Sequence, residues 1–275
     1  MKKILYALVA TAFAISCSEF EIYETPYPDS ATVNINVEWT TLHDGDAAPT
    51  EYAILNNGTE QKVSEETTYI LEPTADNDFL VYNFPSGITI SNGVATLNEA
   101  TRVASDPEPN PGHLYYGTVS VALVADNEQD IKVVTCRGTA PLTINLSYDK
   151  DYIANISSAI VELSGIATSR NLLTGLLTDE STLFQYPTLD DSGTLTLSYN
   201  IFGTIGSAQE LTITFITVDN QTMTVTSDLS TLFSTFNDNM ETLILTGDLN
   251  LPINIEANGS INNWGNGSGG TVTAK

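Results

Sequence analysis

A chain of 275 residues carries 34 acidic against 9 basic residues, a formal net charge of −25, with 41% hydrophobic and 16% charged residues. So acidic a surface excludes nucleic acid and anionic phospholipid head groups as natural partners, because both need a basic face. The apolar content is too high for a disordered chain, and the length suffices for one large or two ordinary domains with a buried core.

The first element in chain order is a leader. Lys2 and Lys3 form a basic n-region, Ile4 to Ile15 an apolar stretch, and Ala14-Ile15-Ser16 leads into Cys17. The apolar stretch is too short to cross a bilayer as a helix, which takes roughly twenty residues. This arrangement resembles the lipobox of bacterial lipoproteins, which implies that residues 1–16 are a signal peptide and that Cys17 is diacylated on sulfur. Several acyl chains meet the need for more than one membrane signal. Residues 17–30 then read as an acidic tether, with Glu19, Glu21, Glu24, Asp29, Pro26 and Pro28 favouring an extended path. With lipid on Cys17, Cys136 has no disulfide partner. It ends the apolar run Ile131-Lys-Val-Val-Thr-Cys136 and is expected to be a buried, inert thiol.

From Ala31 onward the dominant period is two. Val33, Ile35, Val37 and Trp39 alternate with Asn34, Asn36 and Glu38, the pattern of a half-buried strand. Similar strands are predicted at 78–84, 88–97, 117–125, 131–136, 142–148, 195–202, 211–218, 223–226, 243–246 and 251–257. Asn92-Gly93 is a strong hairpin signal, since both residues tolerate the positive φ of the favoured two-residue turn, and Asp219-Asn220 offers a second. Hairpins imply antiparallel sheet, and no regular strand–helix alternation points to a parallel α/β fold. One helix is predicted, over Ser227 to Phe236, with Leu229, Leu232, Phe233 and Phe236 forming a core-facing cap. In the closing Asn/Gly-rich stretch, Trp264 and the alternation around Val272 predict that part of it pairs with a sheet. The whole is an all-β, mostly antiparallel chain of two β-sandwich domains, 31–137 and 138–275, joined near Arg137-Gly138.

No pattern of catalysis emerges. His43 and His113 lie far apart in polar loops without ligand-spaced partners, so no metal site is expected, and no nucleophile elbow or phosphate loop occurs. The acidic pairs Glu65-Glu66, Asp179-Glu180 and Asp190-Asp191 read as solvated loop charge, and Asp44-Gly-Asp46 lacks the rest of a calcium loop. No cofactor and no enzymatic activity are expected. Trp39, Tyr115, Tyr116 and Trp264 are candidates for stacking on sugars, although aromatics on alternating strands more often serve the core.

The lipobox with its acidic tether, Val33 to Trp39, Asp78-Phe-Leu-Val-Tyr-Asn83 ahead of Asn92-Gly93, Ile156 to Gly175 and Ile261-Asn-Asn-Trp264 together resemble the fimbrillin superfamily of Bacteroidales, in particular its lipid-anchored anchor and accessory subunits. The resemblance implies tandem transthyretin-like sandwiches and a role in fimbriae and cell adhesion, with pilin-like partners engaged by donor-strand exchange. It implies an outer-membrane, lipid-anchored, surface-exposed protein, palmitate being the expected acyl group. Stalk subunits of that superfamily lose an N-terminal strand to an arginine- or lysine-directed protease. This chain has no Arg or Lys between Cys17 and Lys62, which favours a retained anchor. Asp29-Ser30-Ala31 is similar to the periplasmic O-glycosylation motif of the same bacteria, making Ser30 the expected site. The alternative function is a surface lipoprotein that binds a glycan or host ligand.

Overall fold

The computed structural model describes residues 30–64, 67–71, 76–98, 110–251 and 259–266. The strands run in chain order as β1 (Ala31–Glu38), β2 (Tyr52–Asn56), β3 (Thr59–Val63), β4 (Thr67–Leu71), β5 (Asn77–Asn83), β6 (Ile88–Ser91), β7 (Val94–Leu97), β8 (Tyr115–Val121) and β9 (Glu128–Val134). They continue as β10 (Cys136–Arg137), β11 (Ala140–Tyr148), β12 (Ile156–Asn171), β13 (Leu177–Gln185), β14 (Thr194–Ile201), β15 (Glu210–Thr217), β16 (Thr222–Asp228), β17 (Leu243–Asn250) and β18 (Ser260–Asn266). The all-β, mostly antiparallel expectation holds.

The strands before and after residue 138 follow one pairing plan. β1 lies between antiparallel β4 and parallel β9, as β11 lies between antiparallel β14 and parallel β17. β2 pairs β3 and β5, and β5 continues to β8; likewise β12 pairs β13 and β15, and β15 continues to β16. This is the transthyretin-like arrangement that the resemblance implies. The two parallel pairs need no crossover helix, because the chain leaves one sheet, builds the other and returns. One position differs between the halves. β18 pairs β17 on its outer side, whereas among the described residues β9 pairs β1 alone.

Period-two patterning explains the layers. On β1 Ala31, Val33 and Ile35 are fully buried, while the outward Asn34 donates to Glu128 (2.8 Å) and Asp130 (2.9 Å) and accepts from Thr68 (2.8 Å). That amide fixes the register of all three strands from the solvent side. β2 and β5 behave differently, with every residue of β2 and the run Phe79 to Tyr82 buried. Tyr52, Ile54, Phe79 and Val81 pack with β1 and β9 in a first core, whereas Ala53, Leu55, Leu80 and Tyr82 join a second core with Leu142, Ile144, Val161, Ile213 and Phe215. The sheet that starts as the outer wall of one sandwich is thus also the floor beneath the other.

Two further features tie the halves. The β6–β7 hairpin pairs with the end of β12, Thr96 opposite Ser169 and Val94 opposite Asn171. The link at Gly138–Thr139 is buried and pinned, with the Gly138 N–H donating to the Leu114 carbonyl (2.7 Å) and the Leu114 N–H to the Thr139 hydroxyl (2.9 Å).

Asn92 and Gly93 take φ of 50° and 75°, as the hairpin signal predicts, and Asn220 takes 58° in the turn between β15 and β16. The predicted helix at 227–236 is corrected. β16 runs to Asp228, whose carboxylate accepts from the Ser230 N–H (2.8 Å), and turns follow until the short α1 (Phe236–Asn239). Serine and threonine divert the backbone into such local bonds, which compete with helix. The capping role survives: Leu229, Phe233 and Phe236 are buried in the second core. Trp264 packs against that core and donates Nε1–H to the Ser227 hydroxyl (2.9 Å), so the closing stretch does pair, through β18.

Candidate functional site

Cys17 and the rest of the tether to residue 29, Glu65-Glu66, residues 252–257 of the strand predicted at 251–257 and the alternation around Val272 lie outside the described residues. Ser30 is described and exposed, immediately before β1, and its carbonyl accepts from the Asp126 N–H at 2.8 Å. Cys136 is not the buried thiol expected from its apolar run. It sits on the two-residue edge strand β10 opposite Tyr116, and it is exposed. Its sulfur nonetheless lies against Tyr116, and desolvation pushes the thiol pKa up, so it stays protonated at neutral pH. Of the described acidic pairs, Asp190-Asp191 serves a local turn, Asp190 accepting from the Ser192 N–H at 2.8 Å, and Asp179-Glu180 lies within β13. Tyr115 and Tyr116 are buried, and Trp39 packs edge-on against Tyr52, so these aromatics build core rather than a stacking platform.

The two histidines, distant in sequence, meet. Their ring centroids lie 4.3 Å apart where the β1–β2 loop crosses the start of β8. His113 Nδ1–H donates to Asp46 (2.6 Å), Tyr115 donates its hydroxyl to the same carboxylate and accepts the His43 backbone N–H (2.8 Å), and His43 Nε2–H reaches the Thr139 carbonyl (3.1 Å). The cluster therefore latches the β1–β2 loop to the link between the halves. Burial is the main cause that lowers the His43 pKa below its ordinary 6.5, with the neighbouring His113 and Arg137 adding to it. Desolvation alone would raise the Asp46 carboxyl, but the hydrogen bonds from Tyr115 and His113 outweigh it and hold it below 3.8. Both signs agree. The unfolded chain takes up protons that the folded chain resists, so stability is complete at neutral pH and falls as pH drops below 6.5 and again below 3.8. The urea midpoint is expected to fall between about pH 7 and about pH 5.5, and a His43→Gln chain is expected to lose less over that interval.

Sheet edges are where one chain can pair with another, so the edges are the site to weigh. β18 shows what fills the position beside a parallel last strand: main-chain bonds to β17 from Leu245 to Asn250, with Ile261 buried and Trp264 docked. β9 presents the equivalent side unpaired among the described residues, over Glu128 to Val134. Its Ile131 and Val133 face the first core, whereas Glu128, Asp130, Lys132 and Val134 are exposed. Charge on the exposed positions is how natural edges resist indiscriminate pairing. The other outer strand of that sheet among the described residues, β4, lacks any charge and carries Ile70, 76% exposed and the most exposed large hydrophobic side chain described. Beside it the Tyr69 hydroxyl is buried without a hydrogen-bond partner, its pKa raised to about 12 by that burial. Among the described residues the β4–β1–β9 sheet therefore gains no further strand at either side, and one side is apolar.

A family model described as fimbrillin-A associated anchor proteins Mfa1 and Mfa2 matches residues 34–270. The chain belongs to this family. None of the curated proteins matches it. Among solved structures, the fimbrial anchor protein Mfa2 from Porphyromonas gingivalis is similar at 13% identity and a TM-score of 0.57, over 86% of this chain and 97% of that one. A candidate adhesin from Bacteroides ovatus reaches 0.59 at 13% identity over 76% and 86% of the two chains. A second candidate adhesin from that species reaches 0.56 at 12% identity, over 90% and 95%.

Membership in the fimbrillin-A associated anchor family gives the chain a fimbrial role at the cell surface, structural rather than catalytic. Among the described residues, no group of three His, Cys, Asp or Glu side chains is arranged to hold a metal ion, and no helix is long and apolar enough to cross a membrane.

Proposed function

We propose that the protein is an outer-membrane lipoprotein, held through lipid on Cys17, that anchors or accompanies a fimbrium and engages pilin-like subunits by strand pairing. In this reading residues 31–137 and 138–275 are tandem sandwich domains, and Ser30 carries the O-glycan at the foot of the first. The observation that carries it is the outer side of β9, unpaired among the described residues, set against its filled counterpart β17 in a chain of the anchor family. Strand addition there would supply main-chain hydrogen bonds and alternate side-chain contacts, as β18 does in the second half. Retention of the lipid follows from the lack of Arg and Lys between Cys17 and Lys62. Lys62 itself is within β3, 2.5 Å from Glu51 and over the Phe84 ring, so cleavage there requires opening a paired hairpin.

Deleting the gene and imaging the cells is expected to change fimbrial number, length or retention on the cell. Unchanged fimbriae, or a mature chain that begins well after Cys17 without lipid by mass spectrometry, would sink the anchor reading. Saturable polysaccharide binding with no co-purifying pilin would favour the glycan-binding alternative instead.

A further inference from the structure

Two of the chain's three arginines, Arg137 and Arg170, line a single cleft of about 520 Å3 where the two halves meet. Arg137 comes from β10 and Arg170 from β12, and Asn237 and Asp238 of α1, with Glu241 just beyond it, also line the space. In so acidic a chain these guanidinium groups ought to be neutralised, yet the ion pairs among the described residues are Lys62–Glu51, His113–Asp46 and Lys132–Glu38. Among the described residues neither arginine forms an ion pair. Their bonds go to neutral groups instead. Arg137 donates to the Thr41 (2.9 Å) and Leu42 (3.2 Å) carbonyls, and Arg170 to the Phe202 carbonyl (3.0 Å) while lying over the Tyr116 ring at 5.6 Å. The Arg170 Nε–H is buried with no partner. These contacts hold both guanidinium groups in place without a direct ion-pair partner among the described residues, which leaves them able to receive an anion.

The cleft also selects what kind of anion. Asp238 and Glu241 are exposed carboxylates on the same space and repel a multiply charged ligand, but they accept hydrogen bonds from hydroxyl groups, as does the Asn237 amide oxygen. The volume lies inside the roughly 300–1,000 Å3 of small-molecule sites. We propose that this cleft binds a small hydroxylated monocarboxylate of the sugar-acid class, its carboxylate on Arg137 and Arg170 and its hydroxyls on Asn237, Asp238 and Glu241. The site is independent of strand pairing at β9, so its failure would leave the anchor reading untouched.

Cys136 lines the same cleft and is exposed, so in a Cys17→Ser chain it is the sole thiol and reports occupancy. Alkylation is followed at alkaline pH, where thiolate forms despite the desolvation that raises the Cys136 pKa. D-Glucuronate is expected to slow the reaction saturably, by about threefold once its concentration is about twice the dissociation constant. Glucose, which lacks the carboxylate, leaves the rate unchanged, and citrate protects less than glucuronate. Arg137→Gln removes the protection. Should that chain fail to fold by circular dichroism, the exposed pair Asp238→Asn and Glu241→Gln decides instead, since it is expected to reverse the order and favour citrate. Equal protection by glucose and glucuronate, no protection by glucuronate, stronger protection by citrate in the unaltered chain, or an order unmoved by the Asp238/Glu241 change would each overturn the site.

Discussion

Replacing Gly165 with alanine is expected to destabilise the fold by about 3–4 kcal/mol, whereas the same change at Gly175 costs about 1 kcal/mol. The two glycines share a backbone conformation, φ of 71° and 74°, so both replacements carry the same left-handed penalty. They differ in space. A Cβ at Gly175 meets nothing within 4 Å, but at Gly165 it would lie 2.4 Å from the Ala208 carbonyl oxygen, a backbone atom that cannot swing aside. Gly165 marks the register shift in β12 between Leu163 and Ile166. Its carbonyl accepts the Ile205 N–H at 2.9 Å, and the adjoining Ile166 bridges to Thr204. Moving Ala208 therefore disturbs the strand that pairs β15, β13 and β7 alike. Against a typical total stability of about 5–15 kcal/mol, the loss at Gly165 is large enough to read directly as a shift in urea midpoint. Equal midpoints for the two variants would refute the close-approach argument and leave only the conformational penalty.

Gly165 also shows where sequence reading stops. Its apolar surroundings, Ile156 to Asn171, read as a strand followed by a turn, but nothing in the local pattern says that one strand serves three partners. The strands legible from sequence were those with one wet face: β1, β11, β14 and β15 alternate apolar and polar residues because one side meets solvent. β2 fails that test because it is buried on both faces, and β3 fails it because Thr59-Glu60-Gln61-Lys62 is exposed throughout. The turn between them, Asn57-Gly58 at φ of 47° and 81°, uses the same dipeptide chemistry as Asn92-Gly93 and was the available signal. The histidine latch and the arginine cleft are another matter. Both join residues distant in sequence, in loops and at strand ends, and pairing of that kind is set by topology, for which period and propensity carry no code. Cys136 was misplaced for a related reason. Alternation from Ile131 and Val133 leaves the 134 and 136 positions outward, so the parity of the run, rather than its hydrophobicity, decides that the thiol is exposed.

Leu80→Ala is expected to lower the stability of the entire chain by about 3 kcal/mol, in one transition rather than two. Leu80 is 1% exposed on β5 and points away from its own sandwich into the core that contains Leu142, Val161 and Phe215. Eight other residues before Gly138, among them Leu55, Tyr82, Leu97 and Tyr116, join that same core. A division of labour between independent domains would need a polar, separable interface and a mobile link. Here the interface is close-packed core, and the link is buried and hydrogen-bonded to Leu114 and His43. The two tryptophans make the measurement direct, because Trp39 packs against the first core and Trp264 against the second. Following Trp39 in a Trp264→Phe chain and Trp264 in a Trp39→Phe chain, Leu80→Ala is expected to move both fluorescence midpoints by the same amount. A shift confined to Trp39 would mean that the halves unfold separately. For the anchor role proposed above, the cooperative outcome would mean that a load applied at an edge of the first sandwich is borne by the combined core, so that the chain resists unfolding as one body.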